Sequence, residues 1–168
     1  MGTKTNVVVS GISIVLTIDG TDVGFTEDGV TVEHTVEHYD IEADQSINIL
    51  GKVKVKETMR ITVNAEEASL ANIKIAMGEE NSLVTSGGTS RLSFGGGTTV
   101  TEHVLRFTGK APGTSKTRVL NIYKAVSVDV GANSYKKGDK TLLPLTFEAI
   151  ADTDKPEGEQ YGYYQDTI

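Results

Sequence analysis

A mainly β fold, a single-domain β-sandwich or barrel with one flanking α-helix, a long hairpin loop and a C-terminal arm, is what this sequence predicts. Three observations predict it. Two period-two segments, Val30 to Tyr39 and Lys52 to Val63, flank an uncapped stretch from Asp40 to Gly51. The chain holds 18 glycines and only three prolines, with Thr and Val frequent, which is the composition of strands joined by many turns. Only the stretch after Asn64 carries both a helix start and a helix stop. At 168 residues the chain can bury a core, and no composition shift marks a second domain. The expected unit is therefore 1–168, with a protruding loop at 40–51 and an arm at 153–168.

The elements follow in chain order. The apolar run Val7 to Ile18 is broken by Ser10, Gly11 and Ser13, so it reads as a strand and not as a signal peptide or membrane span. Ile12 to Ile18, an Asp19-Gly20 turn and Thr21 to Thr26 form a first hairpin, and Asp28-Gly29 supplies the next turn. In the following strand Val30, Val32 and Val36 share a face with His34 and His38, while Thr31, Glu33, Thr35, Glu37 and Tyr39 take the other. In the return strand Val53, Val55, Met59, Ile61 and Val63 oppose Lys54, Lys56, Thr58, Arg60 and Thr62. Twelve such residues reach about 40 Å, longer than a small sandwich needs, so a partner is expected to share the sheet or cover its tip. The connecting segment carries Ile41, Ile47, Ile49 and Leu50 among Asp and Asn. Apolar residues on a protrusion are usually covered, either by the loop folding back over its own core or by another copy.

Asn64 as N-cap with Glu67 three residues on predicts a helix that Gly78 ends, its apolar stripe made of Leu70, Ile73, Ala76 and Met77. Ser86 to Thr89 and Gly95 to Thr98 read as turns around a short strand, Arg91 to Phe94. Three more strands are expected at Thr99 to Thr108, Thr117 to Asp129 and Thr141 to Ile150. In the second, Leu120, Ile122, Val126 and Val128 share a face; in the third, Leu143, Leu145, Phe147 and Ala149 do, with Pro144 placing part of it at an edge or bulge. Thr153 to Ile168, polar and acidic with Tyr161, Tyr163 and Tyr164, reads as an extended arm.

The net charge of −7 is segregated along the chain. Nine carboxylates and no Lys or Arg lie between Lys4 and Lys52, whereas Arg91 to Lys140 holds nine basic residues against Glu102, Asp129 and Asp139. Two readings stay open: balance within one molecule, or complementarity between copies that steers assembly.

Chemistry is not written into the chain. No cysteine is present, which excludes disulfides, thiolate metal sites and a cysteine nucleophile. His34 and His38 stand four apart in a strand, about 13 Å from each other, too far to share one ion. Lys110 to Thr117 ends Ser-Lys-Thr like a phosphate loop but lacks its glycines and leads into a strand. The acidic run from Asp152 to Glu159 has Pro156 and Glu157 where a calcium loop needs a ligand and a glycine. No nucleophile elbow is present, so neither catalysis nor a cofactor is expected.

The order of elements, together with Gly109-Lys110-Ala111-Pro112-Gly113, Tyr123 to Val126, Tyr135 to Asp139 and Leu143 to Asp152, resembles the major tail tube proteins of long-tailed, non-contractile (siphovirus-type) bacteriophages. The resemblance runs through most of the chain and is strongest from Lys110 to Asp152. It implies the phage tail tube fold, in hexameric rings stacked into a hollow tube around a tape-measure protein. It further implies tail-terminator and tail-tip partners, double-stranded DNA passing through the lumen without specific binding, and a place in the virion tail after assembly in the host cytoplasm, with no membrane partner. On that resemblance Glu33, Thr35, Glu37, Lys54, Lys56 and Thr58 would line the lumen, with Glu37 pairing with Lys54 across the strands. Ile41, Ile47, Ile49 and Leu50, with Tyr161, Tyr163 and Tyr164, would make ring-to-ring contacts. Two rivals remain. One is a monomeric binding or adhesin sandwich, for which 6% aromatic residues and no tryptophan make a thin platform. The other is the tube subunit of a contractile tail, a tailocin or a type VI secretion system.

Overall fold

The structure, a computed structural model, describes residues 15–78, 82–113, 115–129, 135, 137–138 and 140–167. The expectations placed on Lys4, on Ile12 to Ile14, and on Lys136 and Asp139 fall outside these residues. Ten strands are described: β1 (Val15–Ile18), β2 (Thr21–Asp22), β3 (Thr26–Ile41), β4 (Gly51–Ala65), β5 (Leu83–Ser86), β6 (Thr89–Leu92), β7 (Glu102–Lys110), β8 (Thr117–Asp129), β9 (Leu143–Ala149) and β10 (Gly162–Asp166). One helix, α1 (Leu70–Met77), follows β4.

Eight strands form one antiparallel sheet in the order β2-β1-β7-β8-β9-β4-β3, with β10 added on β8, while β5 and β6 form a separate hairpin. Leu16, Ile18 and Val23 from one end of this sheet and Ile61 and Val63 from the other share a single core with Leu120, Ile122, Leu145 and Phe147. A flat sheet could not bring its ends together, so it curls over its own apolar face in the manner of a sandwich or barrel. A hydrogen bond from Glu66 N to Phe25 O, 2.8 Å, extends the β3–β4 ladder by one rung. Leu143, Leu145, Phe147 and Ala149 all point inward, as their alternation predicts. Pro144 pairs with Asn64 of β4 and has no register partner on the β8 side among the described residues, so its missing N–H breaks no ladder there.

Turn chemistry follows the sequence at two points. Asp19 and Gly20 take φ of 51° and 80°, and Gly87 and Gly88 take 59° and 77°, the all-positive pairs that two-residue hairpins need. The second hairpin corrects the expected lone strand at Arg91 to Phe94, because β5 pairs with β6 across Gly87-Gly88.

Bulges account for the other departures. Asp28 and Gly29 do not turn the chain; with φ of 60° and 74° they are the two extra residues where β3 slips against β4 between Glu27 and Val30. In β8 the register slips opposite His103 to Leu105, so Ala125 takes the buried face in place of Val126, and Val128 is exposed. A third bulge lies in the hairpin described below.

The helix starts later than Asn64. Asn64 and Ala65 stay in β4, paired with Pro144 and Leu143, because a ladder that buries Ala65 completely wins over a local cap. Ser69 is the N-cap, accepting from Asn72 N at 3.2 Å, and Gly78 closes the helix in the left-handed conformation, as expected. Ile73 and Ala76 face the core while Leu70 turns outward. Asn72 pins the helix by donating to Val23 O and Glu67 O, and Ser127 Oγ donates to Ala76 O at 2.5 Å.

Candidate functional site

The β3–β4 hairpin dominates the surface. Its inner half is stitched to β9 from Arg60 to Ala65, but from Met59 outward β4 pairs, among the described residues, with β3 alone. Leu50 N donates to Ile41 O at 2.8 Å, closing the hairpin beneath the loop at its tip. That loop stands clear of the core: Ile47 is fully exposed, and Ile41, Ile49 and Leu50 are exposed too.

On one face of the hairpin the register aligns Glu33 with Arg60, Thr35 with Thr58 and Glu37 with Lys56, and Arg60 in turn faces Glu148 of β9. Glu33, Thr35, Lys56, Thr58, Arg60 and Glu148 line one shallow polar cleft of about 260 Å³. The sequence reading placed Lys54 on this face and paired it with Glu37; both placements are corrected. The register between Glu37 and His38 skips Val55, and one extra residue reverses every side chain beyond it. Lys54 therefore turns to the opposite face, and Val53 joins Tyr39 on the polar one. Val53 and Val55, on the apolar side of the expected alternation, are 49% and 60% exposed because this stretch of β4 runs beyond its pairing with β9.

Across the hairpin lies a group that the alternation did not reveal. Glu57 accepts from His34 Nε2 at 2.5 Å and from Lys54 Nζ. The hydrogen bond from Lys54 holds the Glu57 carboxyl below its ordinary range, against the opposing effect of partial burial. One signal was legible: Glu57 is the one charged residue in the otherwise apolar phase of β4.

The C-terminal segment is not a free arm. β10 pairs with β8 from Gly162 opposite Ile122 to Asp166 opposite Arg118, extending the lane that β9 occupies farther along β8. Arg118 grips Asp166 through two bonds of 2.7 Å, and this pairing lowers the Asp166 pKa and raises that of Arg118. Of the three tyrosines, Tyr161 packs on the core, donates its hydroxyl to Glu57 O at 2.7 Å and has its pKa raised, chiefly by burial. Tyr163 and Tyr164 are exposed. Where β4 and β10 part beyond Tyr161, a slot of about 400 Å³ opens, floored by Met59, Leu120 and Ile122.

The segregated charges meet within the molecule at several points. Lys140 reaches Glu66 at 2.7 Å and Glu27 at 3.0 Å, Lys124 reaches Asp152 at 3.3 Å, and Lys52 holds Asp40 at 2.5 Å. Glu42 and Asp44 of the loop form no ion pair among the described residues; His103, buried against the edge of Phe147, is held by Asp19 at 2.6 Å.

No family model and no curated protein sequence matches the chain. Among solved structures it resembles a chain of the sheath–tube complex of an extracellular contractile injection system (PVC) in its extended state, with a TM-score of 0.52 and 10% identity. The alignment covers 92% of this chain and 88% of that one. At such identity the match establishes a shared fold, spanning nearly the whole of both chains.

Proposed function

We propose that the chain is the tube subunit of a phage tail or a phage-tail-like particle, polymerising as stacked hexameric rings into a hollow tube. The observation that carries this is a hairpin that leaves its own sheet and ends in an uncovered apolar tip, on a fold shared with a chain of a sheath–tube complex. Among the described residues the outer β3 edge has no strand partner, and ring closure removes such edges by pairing or covering them with neighbours. The cleft holding Glu33, Thr35, Lys56 and Thr58, with Glu37 on the same face, lines the lumen; Lys54 is excluded from it by the bulge. Ile41, Ile47, Ile49 and Leu50, with exposed Tyr163 and Tyr164, contact neighbouring copies. Tape-measure, terminator and tip proteins are the further partners, and double-stranded DNA passes through the lumen in the siphovirus-type assembly. The likeness to a contractile injection system favours a second form of the same reading, in which the tube works inside a sheath.

Negative-stain electron microscopy across a concentration series tests the reading. Wild-type protein is expected to give rings or hollow tubes, while the double variant Ile49→Asp/Leu50→Asp stays folded and monomeric. Tubes of normal length from the variant would remove the hairpin tip from the assembly contact. Burial of each of these side chains contributes roughly 1.5–3 kcal/mol, so two charged replacements suffice to abolish the contact.

A further inference from the structure

We infer that the slot between β4 and β10 receives the hairpin tip of a second copy of this chain, an assignment that rests on the tube-subunit reading and names the other half of its contact. Two strand edges lead into the slot: Gly51 to Lys56 of β4 on the side away from β3, and Gly162 to Asp166 of β10 on the side away from β8. Neither stretch has a register partner on that side among the described residues. Unpaired backbone beside an apolar floor calls for an extended segment that brings both hydrogen bonds and hydrophobic side chains.

The hairpin tip has both properties. Ile47, Ile49 and Leu50 are exposed within four consecutive residues. A cavity of about 150 Å³ accepts a benzene-sized group. At about 400 Å³ the slot therefore admits two apolar side chains of that order. Charge agrees: the segment from Asp40 to Leu50 carries Asp40, Glu42 and Asp44 and no base. Lys54 stands at the slot with three N–H donors, of which Glu57 engages one. The occupant must come from another molecule. Gly51 joins the tip to the far end of β4, and the Leu50 N to Ile41 O bond closes the hairpin, which keeps the tip from folding back beside its own strand.

The absence of cysteine gives a clean test. The full-length single variants Ile49→Cys and Tyr163→Cys, both at exposed positions, are mixed at the concentration used for assembly and oxidised mildly. Ile49→Cys mixed with Phe94→Cys, at an exposed position away from the slot, serves as the reference pair. Docking predicts at least tenfold more disulfide-linked dimer from the first mixture than from the second, with its yield suppressed by adding Leu50→Asp to the Ile49→Cys chain. Equal yields in preparations that contain tubes would overturn the slot and leave the tube reading standing. Selective linkage in short oligomers with no tube at any concentration would do the reverse, and neither linkage nor tubes would remove both.

Discussion

Gly162 holds β10 against β8 by having no side chain. A Cβ there would overlap the carbonyl oxygen of Asn121, and that oxygen belongs to the middle of β8, a strand paired on both sides that cannot move away. Gly162→Ala is therefore expected to release the C-terminal strand while leaving the core intact. Hydrogen exchange of the peptide containing residues 163–166 should accelerate at least tenfold, with the melting of the main sheet little changed. Unchanged protection there would show that β10 is not anchored at Gly162. Nothing in the sequence marked this glycine, because the demand on it comes from a strand forty residues earlier. Glu57 was legible in principle, as a charge in an apolar phase. Its partners were not, since Lys54 reaches it only through a backbone irregularity that no residue type announces.

The inward face of β9 and that of the inner half of β4, Ile61 and Val63, follow from alternation, and β8 was bounded correctly at both ends. The errors lie where extra residues interrupt the pairing: two at Asp28-Gly29, one at Val55 and one in β8 opposite His103 to Leu105. An Asp-Gly pair at positive φ suits a turn and a bulge equally, so only the partner strand decides between them. The C-terminal segment reads as an extended arm because its polar, acidic residues resemble a linker, and pairing with β8 makes part of it a strand of the sheet. That pairing has a pH signature. Arg118 depresses the Asp166 pKa, so its contribution is fully present above the ordinary aspartate value and is lost as pH falls through the lower folded value. Exchange protection of β10 should hold from neutral pH down to the ordinary aspartate range and drop below it. Asp166→Asn should show weaker protection at neutral pH and no such step. Because the pair lies at the surface, added salt should reduce the wild-type advantage.

At the scale of the assembled molecule, the sorting of charge by the Val55 bulge bears on transport. The proposed lumen face carries Glu33, Glu37 and Glu148 against Lys56 and Arg60, three carboxylates to two cations; with Lys54 it would have been balanced. A basic wall releases counterions from DNA and binds it with steep salt dependence, whereas a slightly acidic wall lets it slide. Glu33→Lys/Glu37→Lys changes the balance by four charges per copy, which the proposed hexameric ring would multiply sixfold. Both positions are exposed on one face of the hairpin, so folding and tube formation should survive. Assembled variant tubes, sedimented with short duplex DNA at low salt, should retain it at least tenfold more than wild-type tubes, and the difference should vanish as salt is raised. The outer surface is the same in both preparations, so excess retention reports on the altered face. Equal retention by intact tubes of both kinds would place that face away from the channel.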